Sequence, residues 1–310
     1  MKLMDRPQKY GLKRAPIPYY GGVAIFIVFI ISLLLFVPFS KELFGLIIGS
    51  SIIVVLGFLD DMFNLNPFLR LFVQFLACVV LVIFGIGILS FKIPFFGTLG
   101  LSGYFSAVFT IVWVMVVLNT MNFVDGVSGL SSGVSFISAL TIFALSVHPL
   151  IHADPLSQIS VAKAALIIAG SAFAFLIFDF PPAKILMGDT GSTFFGFTIA
   201  ALAIFSGGKV ATAFLVLGIP ILDMIWVVLR RLFSGGKIWR GDLKHLHHRF
   251  LNLGLSSRGV VLLYLAVTAA LGGLAVTFVS SEQKMFILIG LVILMIVLAA
   301  MLILFSKKRV

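Results

Sequence analysis

LFGLIIGSSIIVVLGFLDD, residues 43–61, carries no charge from Leu43 to Leu59 and then ends on two adjacent carboxylates, Asp60 and Asp61. The 17 uncharged residues come close to the ~20 that an α-helix needs to cross a ~30 Å hydrocarbon core. Backbone groups in lipid must pair within their own segment, so the run predicts a helix. The same pattern recurs along the chain and predicts ten spans: Tyr20–Phe39, Leu43–Leu59, Leu69–Leu89, Gly103–Asn119, Ser128–Val147, Ile159–Phe178, Thr190–Ser206, Val210–Leu229, Gly259–Ser280 and Lys284–Phe305. No stretch alternates apolar and polar residues as a membrane barrel strand would. The expected fold class is all-α: a polytopic transmembrane helical bundle, one integral-membrane domain over residues 1–310, with a polar loop at 230–258.

Composition agrees. Charged residues make up 11% of the 310-residue chain and hydrophobic ones 61%, with a mean hydropathy of +1.22. Soluble domains hold roughly 25% charged residues, so a chain that keeps its whole surface in water is excluded. The single cysteine, Cys78, lies in an apolar run, where it packs as a small hydrophobe and offers no disulfide framework. Net charge is +11 with a pI near 10.0, a balance that also suits nucleic-acid binders. Its distribution argues against that partner. With ten spans, 17 of the 22 Lys and Arg residues fall on one side: the N-terminal segment, Arg70, Lys184, Arg230–Arg258 and the last residues. Such loops mark the cytoplasmic face, which places both termini inside. Asp5, Asp60, Asp61, Asp125, Asp179, Asp189, Asp223 and Asp242 fall on the same side, whereas Glu42, Asp154 and Glu282 fall opposite. Orientation rules give acids little weight, so their gathering calls for chemistry at the inner face.

Four segments there carry it. Asp60 and Asp61 repel each other at a membrane boundary unless a cation or donor balances them. Mg²⁺, with Mn²⁺ as the alternative, favours carboxylate oxygens together with substrate phosphate; a solvated helix end explains the bare pair equally well. NTMNFVDGVSG, residues 119–129, puts Asn122 and Asp125 on one helical face at i, i+3. Gly126 then permits close backbone approach to a ligand, although a capped helix–turn–helix connection is the simpler account. MGDTGS, residues 187–192, opens span seven. Asp189 stands there at a helix N-terminus that suits an anion or a metal bridging to one, or is simply its cap. HLHHR, residues 245–249, lies in the polar loop and suits phosphate or sugar; its tight spacing is poor for zinc. Lys13 and Arg14 precede Pro16-Ile17-Pro18 and Gly21-Gly22 as a basic anchor. Mostly-Asp acids, basic groups and Gly-rich helix starts on one face suit Mg²⁺ with a phosphorylated ligand.

In this order the motifs resemble those of the polyprenyl-phosphate N-acetylhexosamine-1-phosphate transferases, and the resemblance runs from Pro16 to the last helices. It implies an enzyme that moves a sugar 1-phosphate from a UDP-N-acetylhexosamine to undecaprenyl phosphate and releases UMP, as the first membrane step of a cell-envelope glycan. It also implies a bacterial inner-membrane location, a cytoplasmic active site and, in some members, a homodimer. HLHHR resembles the branch that uses UDP-GlcNAc; the muramoyl-pentapeptide branch, the alternative, carries a different His-rich string. Carried over residue by residue, Asp189 with Asn122 would hold Mg²⁺. Asp60 and Asp61 would place or deprotonate the lipid phosphate, and Asp125 would place the donor diphosphate or act more directly. His245, His247, His248 and Arg249 would hold sugar and phosphates, with Gly126, Ser128, Gly191, Ser192 and Lys13 completing the substrate site. The chain departs from the family pattern at Ser128, where Asp is usual, at Leu186, often Phe, and at Tyr19, usually Arg. Members commonly carry one more helix before the Pro-rich start, so the chain begins late or belongs to a branch without it. An ion-coupled transporter is the rival class; it would rest on Asp223 inside span eight, with Pro220 breaking that helix.

Overall fold

The computed structural model describes residues 4–5, 15–93, 95–149, 158–206, 210–233, 245–278 and 280–307; Lys13, Arg14, Asp154 and Asp242 lie outside them. The helices are α1 Gly21–Phe36, α2 Lys41–Phe63, α3 Pro67–Ile83, α4 Gly103–Val124, α5 Leu130–Ser146, α6 Ile159–Asp179, α7 Gly188–Phe205, α8 Val210–Val216, α9 Gly218–Phe233, α10 Leu246–Asn252, α11 Ser257–Thr277 and α12 Ser281–Lys307. The all-α architecture is as expected. One antiparallel hairpin, β1 Ser90–Ile93 and β2 Gly97–Gly100, joins α3 to α4 where the sequence signalled only a connection.

Among the described residues, α2, α4, α6, α7 and α11 are each long and apolar enough to cross a membrane. The pair α8–α9 makes a sixth if counted as one bent span, and α1, α3 and α5 are shorter apolar helices. Leu35, Phe72, Ile177 and Leu262 stand exposed on α1, α3, α6 and α11. Large apolar side chains spread over every outer face suit lipid rather than water.

The centre of the bundle is α7, buried along almost its whole length and packed by α1, α2 and α4. Lipid offers no hydrophobic gain for bringing helices together, so close approach depends on small residues. A Cβ on Gly57 of α2 would stand 2.6 Å from the Thr190 Cα, and one on Gly196 of α7 would stand 2.6 Å from the Leu118 Cα of α4. Phe29 and Phe194 then fill the space between α1 and α7, with ring centroids 5.1 Å apart.

Four features differ from the expected spans in ways that matter to the site. Helix α2 runs past the expected end through Asp60 and Asp61 to Phe63, and α4 runs past its expected end to Val124, so Asn122 is helical as expected while Asp125 is the C-cap and no longer on the helix. Span eight is not straight: α8 and α9 meet at 80°. Pro220 has no N–H to give the Val216 carbonyl, and its ring crowds that carbonyl, so the helix stops and restarts with Pro220 in the first turn of α9. The His-rich segment is not all loop; His247, His248 and Arg249 lie in the short helix α10.

Candidate active site

The turn between α2 and α3 is short because each helix end is closed locally. Asn64 adopts the left-handed conformation at φ 51° and gives its N–H to the Asp60 carbonyl, 2.8 Å away. Asn66 then caps α3 by accepting the Phe68 N–H at 2.9 Å, with Pro67 in the first helical position. The chain turns back within three residues, 64–66, and Arg70, one turn into α3, returns to the carboxylates that end α2.

Asp60 and Asp61 are neighbours in sequence but lie about 100° apart around a helix, and they do different work. Asp61 points at the start of α7. Its Oδ1 accepts the Asp189 N–H at 2.9 Å, and its Oδ2 accepts the Thr190 N–H at 3.1 Å and the Thr190 hydroxyl at 2.6 Å. The free N–H groups of the α7 N-terminus are thus capped by a carboxylate from another helix rather than left open to an anion. Gly188 makes room: it sits at φ +69°, and a Cβ there would stand 2.5 Å from Asp61 Oδ2.

Asp60 faces the other way. Its Oδ1 accepts the Leu65 N–H at 2.7 Å, and its Oδ2 lies 2.7 Å from Arg70 Nη1. The other arm of the guanidinium, Nη2, lies 3.2 Å from Asp189 Oδ2 and 3.5 Å from Asn122 Oδ1. Asn122 Nδ2 in turn donates to Asp189 Oδ1 at 2.8 Å and to Ser192 Oγ at 3.3 Å. Side chains from α2, α3, α4 and α7 therefore meet in one polar cluster. Arg70, which in the sequence reads only as an orienting charge, is at its centre.

Asp125 follows α4 as its C-cap residue. Burial, and the charges of Asp179, Asp189 and Asp61 nearby, hold its carboxyl well above the usual carboxylate range. Asp179, at the end of α6, accepts the Gly129 N–H at 2.9 Å and the Ser132 hydroxyl at 2.7 Å, which ties down the turn after Asp125. The His segment closes over that turn: a Cβ on Gly126 would stand 2.7 Å from His247 Nε2 and 3.4 Å from His248 Nε2. Burial, followed by the charges of His248 and His245, pushes His247 down to about 3, so it docks as a neutral ring.

The candidate residues thus fall into three groups. Asp60, Asn122, Asp189 and Ser192 form the cluster, Asp125 stands within electrostatic reach of it, and His247 and His248 lie against Gly126. Gly191 packs against Gly22 and Met187 and holds α1 to α7. Arg249 lines a separate cavity of about 260 Å³ between α9, α10 and α12, walled by Leu222, Trp226, Leu229 and Met295. Ser128 is half-buried in the turn after Asp125, and Lys13 lies outside the described residues. Asp223, on which a transport reading rests, is held by His245 Nδ1 at 2.9 Å.

Among the described residues no three of His, Cys, Asp and Glu form a ready-made metal cage. Asp60, Asp189 and the Asn122 carbonyl nevertheless suit Mg²⁺, which keeps several waters and takes a small number of protein oxygens beside substrate phosphate.

Residues 43–207 match the model of glycosyl transferase family 4, a stretch that holds Asp60, Asp61, Asn122, Asp125 and Asp189 and stops short of His245. A probable undecaprenyl-phosphate N-acetylglucosaminyl 1-phosphate transferase of Bacillus subtilis is 30% identical, over 84% of this chain and 74% of its own. A decaprenyl-phosphate N-acetylglucosaminephosphotransferase of Mycobacterium tuberculosis is 30% identical over 93% and 79%, respectively. An undecaprenyl-phosphate alpha-N-acetylglucosaminyl 1-phosphate transferase of Escherichia coli K12 is 29% identical over 88% and 76%.

Proposed function

The chain belongs to glycosyl transferase family 4, and from that premise we propose that it is a membrane phosphoglycosyl transferase. It moves N-acetylglucosamine 1-phosphate from UDP-GlcNAc to undecaprenyl phosphate and releases UMP. The observation that carries this is the convergence of Asp60, Asn122 and Asp189, from three separate helices, around the Arg70 guanidinium.

A phosphate must be brought to a diphosphate, anion to anion, so positioning and positive charge supply most of what the reaction needs. Asp189, Asn122 and Asp60 would hold Mg²⁺, which when bound supplies charge neutralisation for the diphosphate. Arg70, whose two arms hold Asp60 and Asp189, sets the spacing of these carboxylates and adds positive charge beside the phosphates. Asp125, with its raised carboxyl, is suited to take and return a proton beside the phosphates. A lipid phosphate oxygen forms the new bond to the sugar-bearing phosphorus, and the bond from that phosphorus to the bridging oxygen breaks and leaves with UMP. One phosphoanhydride is lost and one is made, so the step is close to reversible.

The cavity between α9, α10 and α12, apolar except for Asp223 and Arg249, supports a place for part of the acceptor's prenyl chain. Ten spans follow if the five long helices, the bent pair, α1, α3, α5 and α12 each cross the bilayer. The excess of basic residues then supports cytoplasmic termini, a cytoplasmic site and a place in the bacterial inner membrane.

The test is UMP release by the purified protein from UDP-GlcNAc and undecaprenyl phosphate, with Mg²⁺, with Mn²⁺ and with EDTA, and with UDP-MurNAc-pentapeptide as competing donor. Release from UDP-GlcNAc that EDTA abolishes is expected. No release, or preference for the pentapeptide donor, would overturn the assignment.

A further inference from the structure

Asp223 is a carboxylate in a largely apolar cavity that Arg249 also lines. Leu222, Ile225 and Trp226 line the same cavity, and Asp223 is itself buried in the second turn of α9. Burying a carboxylate is costly unless its oxygens are matched. Both are. Oδ2 meets His245 Nδ1 at 2.9 Å, and Oδ1 accepts the Leu246 N–H at 3.0 Å. The two contacts fix the His245 ring and the backbone beside it. The ring also has two aromatic neighbours. It stacks on Phe123, with centroids 5.4 Å apart and planes 27° apart, and lies parallel to His247 at 5.6 Å and 2°. Phe123 follows Asn122, and His247 rests on Gly126, so the stack stands beside the cluster.

A carboxylate on Nδ1 makes that nitrogen the protonated one. Nε2 is then the lone-pair nitrogen of the neutral ring, or the second donor of the charged ring. Among the described residues nothing bonds His245 Nε2. The two matched oxygens, and not apolar packing, are what the carboxylate contributes here.

We propose that Asp223 is a positioning residue for the transfer: clamped to His245 Nδ1 and to the Leu246 amide, it sets the tautomer and rotation of His245 so that Nε2 is presented to the phosphates or sugar of the donor. The role rests on the function proposed above. It assigns a purpose to the bend between α8 and α9, which turns the carboxylate toward α10 instead of along a continuing helix.

The experiment is a double-mutant cycle on UMP release in detergent, with UDP-GlcNAc, undecaprenyl phosphate and Mg²⁺, for wild type, Asp223→Ala, Asp223→Asn, His245→Ala and Asp223→Ala/His245→Ala. Orienting partners of this kind typically carry about 10–100-fold. Asp223→Ala should lose that much in kcat/KM for the donor. Asp223→Asn should lose less, because it keeps the shape; its single carbonyl can serve either the Leu246 N–H or Nδ1–H, with the amide donating to the other side, so it no longer fixes which ring nitrogen carries the proton. The double variant should be no worse than His245→Ala. Nitrogen-15 NMR of the histidines should show Nδ1–H in the wild type and a mixed tautomer in both Asp223 variants. This reading serves even if Asp223→Ala does not fold, because Asp223→Asn preserves size and shape. Additive losses in the cycle, or an unchanged tautomer in Asp223→Asn, would overturn the role of Asp223 alone. A wild type that turns over no donor would overturn the proposed function and this role with it.

Discussion

Arg70, one turn into α3, reaches Asp189 at the start of α7, its Nη2 3.2 Å from Oδ2, while the other arm of the same guanidinium holds Asp60 at 2.7 Å. Without that charge two carboxylates would face each other. Arg70→Ala should lower UMP release by about 10²–10³-fold, the scale of losing a fixed charge-stabilising donor. Arg70→Lys should fall between, because a point charge cannot serve both carboxylates as the planar fork does. Raising Mg²⁺ should recover part of the loss in Arg70→Ala. Wild-type turnover in Arg70→Ala would remove Arg70 from the site.

The adjacent carboxylates should separate by phenotype. Asp61 caps α7 with three accepted bonds, so Asp61→Ala should destabilise the protein by about 2 kcal/mol, the upper range for a lost cap. Gly188→Ala should do the same, through its φ of +69° and a collision with Asp61. Asp60→Asn should leave the melting temperature nearly unchanged and lose turnover. Melting curves in detergent beside UMP assays decide the matter; equal melting for Asp60→Asn and Asp61→Ala would contradict the division.

The closure of α10 should depend on pH in one direction. His247 is held near 3 in the folded chain and titrates at about 6.5 when unfolded. A depressed folded value for a histidine means that docking is at full strength above 6.5. It is lost as pH falls from 6.5 toward 3, by about 1.4 kcal/mol per unit at most. Hydrogen exchange in Leu246–Asn252, corrected for its intrinsic pH dependence, should therefore quicken between pH 6 and pH 4, values chosen inside that window. Gly126→Ala, which crowds His247 Nε2, should quicken it already at neutral pH. A flat profile would mean that His247 is not the docking group.

The helical, apolar fold is legible because uncharged runs such as Leu43–Leu59 leave few alternatives; charge counting makes a common face for the acids an expectation, and the structure brings Asp60, Asn122 and Asp189 together. The individual contacts are less legible. Two adjacent aspartates on one helix cannot face the same point, which the helical period already implies, yet it takes the tertiary contacts, Gly57 on Thr190 and Asp61 on the Asp189 and Thr190 amides, to show that Asp61 is the one turned to α7. Arg70 reads as any basic residue near a helix start. Asn66-Pro67 does announce that start, and hence a tight return toward Asp60. Gly191, which the resemblance places in the substrate site, packs against Gly22 and Met187, a contact that depends on which face meets Gly22 and that no short motif carries.

The bend at α8–α9 offers the last test, because its cause can be removed without touching any charged group. Ala at position 220 restores an N–H that can pair with the Val216 carbonyl and removes the ring that crowds it. The two helices, now at 80°, should then approach one continuous helix, and spin labels at Ala211 and Leu229 should move apart. Asp223 would swing away from His245, and misplacement of that order can cost about 10²-fold in turnover. Pro220→Ala should therefore both lengthen the label distance and slow UMP release. If neither changes, the bend is held by the seat of Gly218 against Leu291, where a Cβ would stand 2.4 Å from the leucine side chain, and Gly218→Ala becomes the variant that opens it.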